Sequence, residues 1–154
     1  MRTNKHTYFL DIALRSAKQT TCIRRGFGAV IVDKYGTIVS TGYNGAPKGV
    51  EHCKTCWREE NNIPSGQSYE KCLSVHAEQN ALIQAGKASR GATMYLVGID
   101  MKTGNEVCIP PCFLCAKMIL NGEIEKVIMR NNGLHFPQNP MDIYLEREAE
   151  AFTV

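Results

Sequence analysis

Two short stretches of the chain hold residue types that make chemical sense together. His76-Ala77-Glu78 offers an imidazole and, two residues on, a carboxylate; Pro111-Cys112-Phe113-Leu114-Cys115 offers two thiols three positions apart. One imidazole and two thiolates are three zinc ligands, which leaves the fourth tetrahedral position open to water, as in catalytic rather than structural sites. Zinc lowers the pKa of such a water from 15.7 to about 7. Glu78 sits next to the ligand His76 without being a ligand, since a carboxylate on the metal would take the water's place. It is therefore the group to move protons on and off that water. A lone C-x-x-C would suit a structural zinc knuckle equally well, and a lone H-x-E carries no weight. The order of the two, the proline before the first cysteine and the elements around them favour the catalytic reading.

Those elements follow from periodicity. Apolar residues at helical spacing (Phe9, Ile12, Ala13, Ala17) predict an amphipathic helix over residues 4–19. Residues 28–33 and 37–41 are apolar runs around Lys34-Tyr35-Gly36 and read as a strand hairpin. Gly26 and Gly28 flank the first of these, which suggests a close backbone approach. Residues 74–85 are helical in pattern and stop at Gly86, which puts His76 and Glu78 in a first helical turn. A strand is expected at 92–97, a helix at 112–121, a strand at 125–129 and a closing helix at 140–151. Both ligand segments thus fall at helix N-termini, where free N–H groups and the helix dipole favour thiolate over thiol. Between residues 42 and 71 no periodicity holds, and so long an irregular stretch is uncommon unless it is functional or pinned.

The chain has 154 residues, 44% of them hydrophobic and 21% charged, as for an ordinary soluble domain. We read it as one domain, 1–154, with no repeat and no internal boundary. No apolar run approaches the roughly 20 residues of a membrane span and nothing resembles a signal peptide, so the expected compartment is the cytoplasm. The net charge of +3 is too small to argue for a nucleic-acid partner. Seven cysteines without a secretory signal argue for metal ligands rather than disulfides. Cys53, Cys56 and Cys72 bracket the irregular stretch and Cys22 precedes the first strand. Four thiolates make a closed structural zinc site, which would pin the loop at 44–72; free or buried cysteines are the alternative.

Over residues 8–130 the chain resembles the cytidine deaminase-like superfamily and, within it, the deoxycytidylate (dCMP) deaminases. The resemblance rests on Cys22-Ile23-Arg24 before GAVIV at 28–32, on STGYNGAP at 40–47, HAEQNA at 76–81, GATMY at 91–95 and PCFLCAK at 111–117. It implies a three-layer α/β/α fold with a mixed sheet of about five strands. It also implies hydrolysis of dCMP to dUMP and ammonia, a catalytic zinc on His76, Cys112 and Cys115, and Glu78 as proton carrier. A homo-oligomer, often a hexamer, and dCTP and dTTP as candidate effectors come with the family. Substrate contacts carry over to Asn44, to Arg24 for the phosphate (with Arg25 as its local competitor), and to Ala77 and Tyr43. Stacking on the base would come from Phe27, Tyr43 or Phe113. Some similar bacterial sequences have a cysteine near each of Cys22, Cys53, Cys56 and Cys72; other members use mixed Cys and His ligands, which makes His52 an alternative.

The chain departs from the family pattern at residues 98–110, an insertion before the second motif that carries the extra Cys108, and after residue 130. The insertion predicts a hairpin or flap beside the site. Two other readings compete with dCMP deamination. One is deamination of another cytosine or adenine nucleotide or of a base in tRNA; a tRNA enzyme would need a basic strip, and the C-terminal Glu146, Glu148 and Glu150 oppose it. The other is a non-catalytic zinc-binding protein, for which Glu78 would have no use.

Overall fold

The computed structural model describes residues 1–153. A six-stranded sheet runs in the order β2-β1-β3-β5-β6, with a short β4 paired to β3 alone. Its strands are β1 (Arg25–Val32), β2 (Ile38–Tyr43), β3 (Thr93–Asp100), β4 (Glu106–Val107), β5 (Lys126–Asn131) and β6 (Leu134–Gln138). The helices are α1 (Lys5–Ala17), a single-turn α2 (Trp57–Glu60), α3 (Ala77–Ala85), α4 (Phe113–Asn121) and α5 (Pro140–Ala151). β1 pairs antiparallel with β2 and β3, β3 pairs parallel with β5, and β5 turns back on β6, so the sheet is mixed. The parallel pair requires a crossover, and α4 supplies it.

The near-continuous apolar runs of β1 and β3 are explained by cover on both faces. Val30 and Val32 of β1 and Tyr95 and Val97 of β3 meet Phe9, Leu10 and Ala13 of α1. Their neighbours Ala29, Ile31, Met94 and Leu96 face the other way, onto Ala77 and Ala81 of α3, Ala116 and Ile119 of α4 and Ile143 of α5. This is the three-layer α/β/α arrangement expected from the resemblance. The approach foreseen at Gly26 and Gly28 is to α1: a Cβ at Gly28 would overlap the Ala13 carbonyl. On the opposite face, a Cβ at Gly42 of β2 would collide with the backbone of Ala77 and Ala81, so this glycine lets α3 lie directly on the hairpin.

β6 was not expected from the pattern, whereas β4 is the hairpin expected of the insertion. β6 is an exposed edge strand containing Pro137, which only an edge tolerates readily. β4 belongs to the insertion at 98–110. It takes over pairing along Gly98 and Ile99, beyond the Thr93–Leu96 stretch that pairs with β5, so the insertion extends the sheet as a hairpin. Among the described residues no helix is long and apolar enough to cross a membrane.

Candidate active site

The first ligand segment reaches the site by an extended step into a helix. Residues 74–75, expected to be helical, are not: Val75 exchanges two backbone hydrogen bonds with Gly45, at 2.8 and 3.1 Å. That bridge holds the chain extended until His76, which becomes the N-cap of α3 rather than a residue of its first turn. The N–H of His76 donates to Oε1 of Gln79 at 2.8 Å, Nδ2 of Asn80 donates to the Tyr43 carbonyl at 2.8 Å, and Oγ of Ser40 donates to the Ala81 carbonyl at 2.7 Å. The helix start is thus tied at several points to the hairpin beneath it. Cys112 is likewise the N-cap of α4, and Cys115 lies one turn on, buried.

Nδ1 of His76 lies 3.5 Å from Sγ of Cys112 and 3.3 Å from Sγ of Cys115. Donor atoms at Zn–S of about 2.3 Å and Zn–N of about 2.0 Å in a tetrahedron stand about 3.5 to 3.8 Å apart, so the three atoms fit zinc with Nδ1 as the coordinating nitrogen. Among the described residues this is the one group of three or more His, Cys, Asp or Glu side chains whose ligand atoms fall within 4.8 Å. The hydrogen bond shared with Cys115, helped by that to His76 and opposed by burial, brings the Cys112 thiol down to about 4, while Cys115 keeps the shared proton and is pushed up. Burial alone would lower His76, but its bond to Cys112 and the Glu78 charge raise it. Glu78 is buried, and that burial holds its carboxyl above the usual range against the pull of His76. A buried carboxyl with a raised pKa is suited to taking up and giving back protons near neutrality.

His76, Glu78 and Cys112 line a cavity of about 770 Å³, with Cys115 buried behind it. Tyr69 meets the His76 ring edge-on at 5.0 Å between centroids. Asn44 lines the cavity and is also a structural hub: its Oδ1 accepts from Oγ1 of Thr20 and the N–H of Phe27, both at 2.8 Å, and its Nδ2 donates to the Arg25 carbonyl at 3.0 Å. One of its two N–H donors is left. Ala77 lines the cavity too, and as the first residue of α3 its N–H has no partner within the helix. Phe27 and Phe113 are at the wall, whereas Tyr43 is not. Tyr43 pairs directly with Gly28, which faces α1, so its side chain belongs to the far side of the sheet and is exposed. The expectation of a substrate contact there is corrected by the pleat.

Four arginines line the cavity, and three are engaged. Arg24, expected on the phosphate, pairs with Glu59 at 3.2 Å and donates to Sγ of Cys56 at 3.8 Å. Arg58 is buried, donates to the carbonyls of Pro64 and Gln67 at 3.0 Å each, and stacks on Tyr69. Arg147 donates to the carbonyls of Pro110 and Pro111 and pairs with Glu150. Arg25 shares the sheet face of Phe27 and Ala29, since Gly26 and Gly28 between them face α1. Asp100, opposite it in register, points instead at the N–H groups of Lys102 and Thr103. Among the described residues no side-chain partner engages the Arg25 guanidinium.

Cys22, Cys56 and Cys72 line the far part of the cavity, and burial followed by the nearby Cys22, Cys72 and Cys56 pushes the Cys53 thiol up. The four therefore share one neighbourhood, more widely spaced than the catalytic group. His52 is exposed and does not line the cavity, and Cys108 packs against the core under α3 and α4. Sequence reasoning did not find Tyr69, Arg58 or the α5 residues Arg147 and Glu150. Nothing in their spacing marks them: Arg58 and Tyr69 lie in the stretch without periodicity, and Arg147 and Glu150 come from the closing helix, far along the chain.

The family model for the cytidine and deoxycytidylate deaminase zinc-binding region matches residues 3–131. The deoxycytidylate deaminase of Mycobacterium phage D29 is 37% identical over 127 residues, covering 79% of this chain and 90% of the phage protein. That of Schizosaccharomyces pombe is 32% identical over 129 residues, covering 82% of this chain but 37% of the yeast protein. The dCMP deaminase of cyanophage S-TIM5, solved in complex with dCMP and dUMP, superposes with a TM-score of 0.64 at 25% identity, covering 96% of this chain and 94% of the other. With a His, Cys, Cys group of zinc-ligand geometry beside a buried glutamate, the chain belongs to the zinc-dependent cytidine and deoxycytidylate deaminase family.

Proposed function

We propose that this protein hydrolyses dCMP to dUMP and ammonia. The observation that carries the reading is a buried Glu78 beside the His76, Cys112 and Cys115 group, in a cavity that also holds the unengaged Arg25 cation. Nδ1 of His76 and the two thiolates would hold zinc, which when bound would supply a Lewis acid that makes water nucleophilic at neutral pH. Glu78 accepts a proton from the water and delivers it to N3 of the cytosine as the C4–O bond forms. It then transfers the second proton to the exocyclic amine, which leaves as ammonia as the C4–N bond breaks. The Ala77 N–H and the spare N–H of Asn44 are the donors for the base and sugar. Phe27 and Phe113 offer stacking surfaces, and Arg25 rather than Arg24 meets the phosphate.

Cys22, Cys53, Cys56 and Cys72 close on a second, structural zinc in this reading, which their shared neighbourhood supports. The outward helical layer exposes Ile83, Leu114, Met118, Met141 and Leu145, an apolar face suited to self-association. Ammonia release from dCMP, CMP, deoxycytidine, dCTP and AMP, with zinc content measured on the same sample, tests the function. dCMP is expected to be the best substrate. Equal turnover of deoxycytidine would remove the phosphate from the argument, and no release from any of the five would remove the enzyme. Adding dCTP or dTTP to the same assay reads regulation, and light scattering reads the oligomer.

A further inference from the structure

The closing helix lies beyond the residues matched by the family model, yet it touches the metal site. Arg147 of α5 extends its guanidinium under the segment that leads into Cys112. Its Nε donates to the Pro111 carbonyl and its Nη2 to the Pro110 carbonyl, both at 2.8 Å. Its Nη1 pairs with Glu150 at 2.9 Å. The two prolines have no N–H to offer a sheet or a helix, so their segment has little backbone bonding of its own. Pro111 is fully buried and directly precedes the ligand Cys112. Phe113, on the other side of Cys112, is held by Tyr144 of the same helix and by Phe152 at its C-cap, at centroid distances of 5.6 and 6.3 Å. Cys112 is therefore flanked by two attachments to α5, one polar and one aromatic.

We infer that Arg147 is a positioning residue for the metal centre: its fork on the Pro110 and Pro111 carbonyls sets where Sγ of Cys112 stands relative to Nδ1 of His76. The guanidinium is planar and presents two parallel donors in fixed geometry, which a lysine does not reproduce. A bond to a ligand's supporting backbone acts as outer-shell partners of metal ligands do, and loss of such partners costs about 10- to 100-fold in metal affinity. The inference rests on the zinc reading of His76, Cys112 and Cys115. It does not depend on which nucleotide is the substrate.

The test is equilibrium competition for zinc between the full-length protein and a chromophoric chelator, for wild type, Arg147→Met, Arg147→Lys and Glu150→Gln. Cobalt(II) loading of the same proteins adds a thiolate-to-metal absorption band that reports the ligands directly. Arg147→Met is expected to weaken zinc binding at the His76, Cys112 and Cys115 group about 10- to 100-fold and to alter the cobalt band. Arg147→Lys, which keeps the charge but not the fork, is expected to fall between it and wild type. Glu150→Gln is expected to match wild type, because its partner is the nitrogen that does not hold the carbonyls. A folded Arg147→Met protein with wild-type zinc affinity and cobalt spectrum overturns the inference, as does a Glu150→Gln protein weakened equally. If Arg147→Met does not fold, Arg147→Lys decides, and a wild-type affinity there overturns it. Weakened zinc binding together with no ammonia release from any nucleotide would sink the proposed function and leave this inference standing.

Discussion

Cys112 and Cys115 leave the chain within one turn of a helix and meet a histidine at the start of another. Cys22, Cys53, Cys56 and Cys72 leave from loops, where backbone direction is set by many separate contacts. The first group stands at ligand spacing by virtue of two rigid helices packed on a sheet; the second only converges. Their electrostatics differ in the same sense. The Cys112 thiol is drawn down to about 4 by hydrogen bonds to Cys115 and His76, while Cys53 is pushed up by burial and by the thiols around it. A metal site carried on packed helices is formed before the ion arrives, whereas one carried on loops is completed by the ion. The loop around the second group also has contacts that need no metal. Arg58 holds the carbonyls of Pro64 and Gln67, and Glu59 joins Arg24 to Lys102 of the inserted hairpin.

The comparison is broken most sharply by separating catalysis from metal binding. Glu78→Gln should lower turnover by a factor of about 10² to 10⁴, the worth of a general acid–base, with zinc content unchanged. If zinc is lost in that variant, Glu78 is a ligand and the first group is a different kind of site. A pair of variants then contrasts the groups directly. Cys112→Ser should lose both turnover and the catalytic metal, whereas Cys53→Ser should keep turnover and reduce zinc from about two ions per chain to about one, with a lower unfolding temperature. One zinc per chain in the wild type would show that the second group holds none.

Substrate binding gives the next largest effect. A charged hydrogen bond is worth about 1.5 to 3 kcal/mol, so Arg25→Met should raise KM for dCMP about 10- to 100-fold and leave that for deoxycytidine near wild type. Arg24→Met should change KM less, since Glu59 and Cys56 already engage that guanidinium. The reverse order would return the phosphate to Arg24.

The smallest effect is in thiol reactivity, read on metal-free protein by mass-spectrometric mapping of iodoacetamide adducts. Cys112 titrates at about 4 and is a thiolate above that pH, so its alkylation should be flat from pH 8 down to about 5 and fall only below. Cys53 is raised from the ordinary value, so its alkylation should climb about tenfold per pH unit through the whole neutral range. Parallel profiles for the two would erase the electrostatic difference between the groups.

The first group was legible in the sequence because its geometry is local. Thiols three residues apart on a helix share a face whatever the rest of the chain does. The apolar runs that place those helices against strands are equally local in their periodicity. The helix start at Ala77 was less legible, since Val75 is drawn into an extended bridge by Gly45, thirty positions away in neither periodicity nor propensity. Tyr43 was misplaced because its face depends on the register of β2 against β1. β6 was missed because its alternation is weak and it is an exposed edge, with little burial to leave a pattern.

What the sequence determined by itself is therefore the candidate centre: a histidine and two cysteines at spacings that helix N-termini turn into a group fit for zinc, beside the glutamate to which the proposed mechanism gives the protons. Only the tertiary structure decided which of the neighbouring cations is available, because Arg24 and Arg25 are alike in sequence and differ in whether Glu59 or Asp100 reaches them. Only it brought Arg147 of the last helix beneath the prolines before Cys112. Ligand spacing follows the helical repeat, which acts over a few residues, whereas the pairing of charges and the clamping of carbonyls depend on which distant elements the packed sheet brings together.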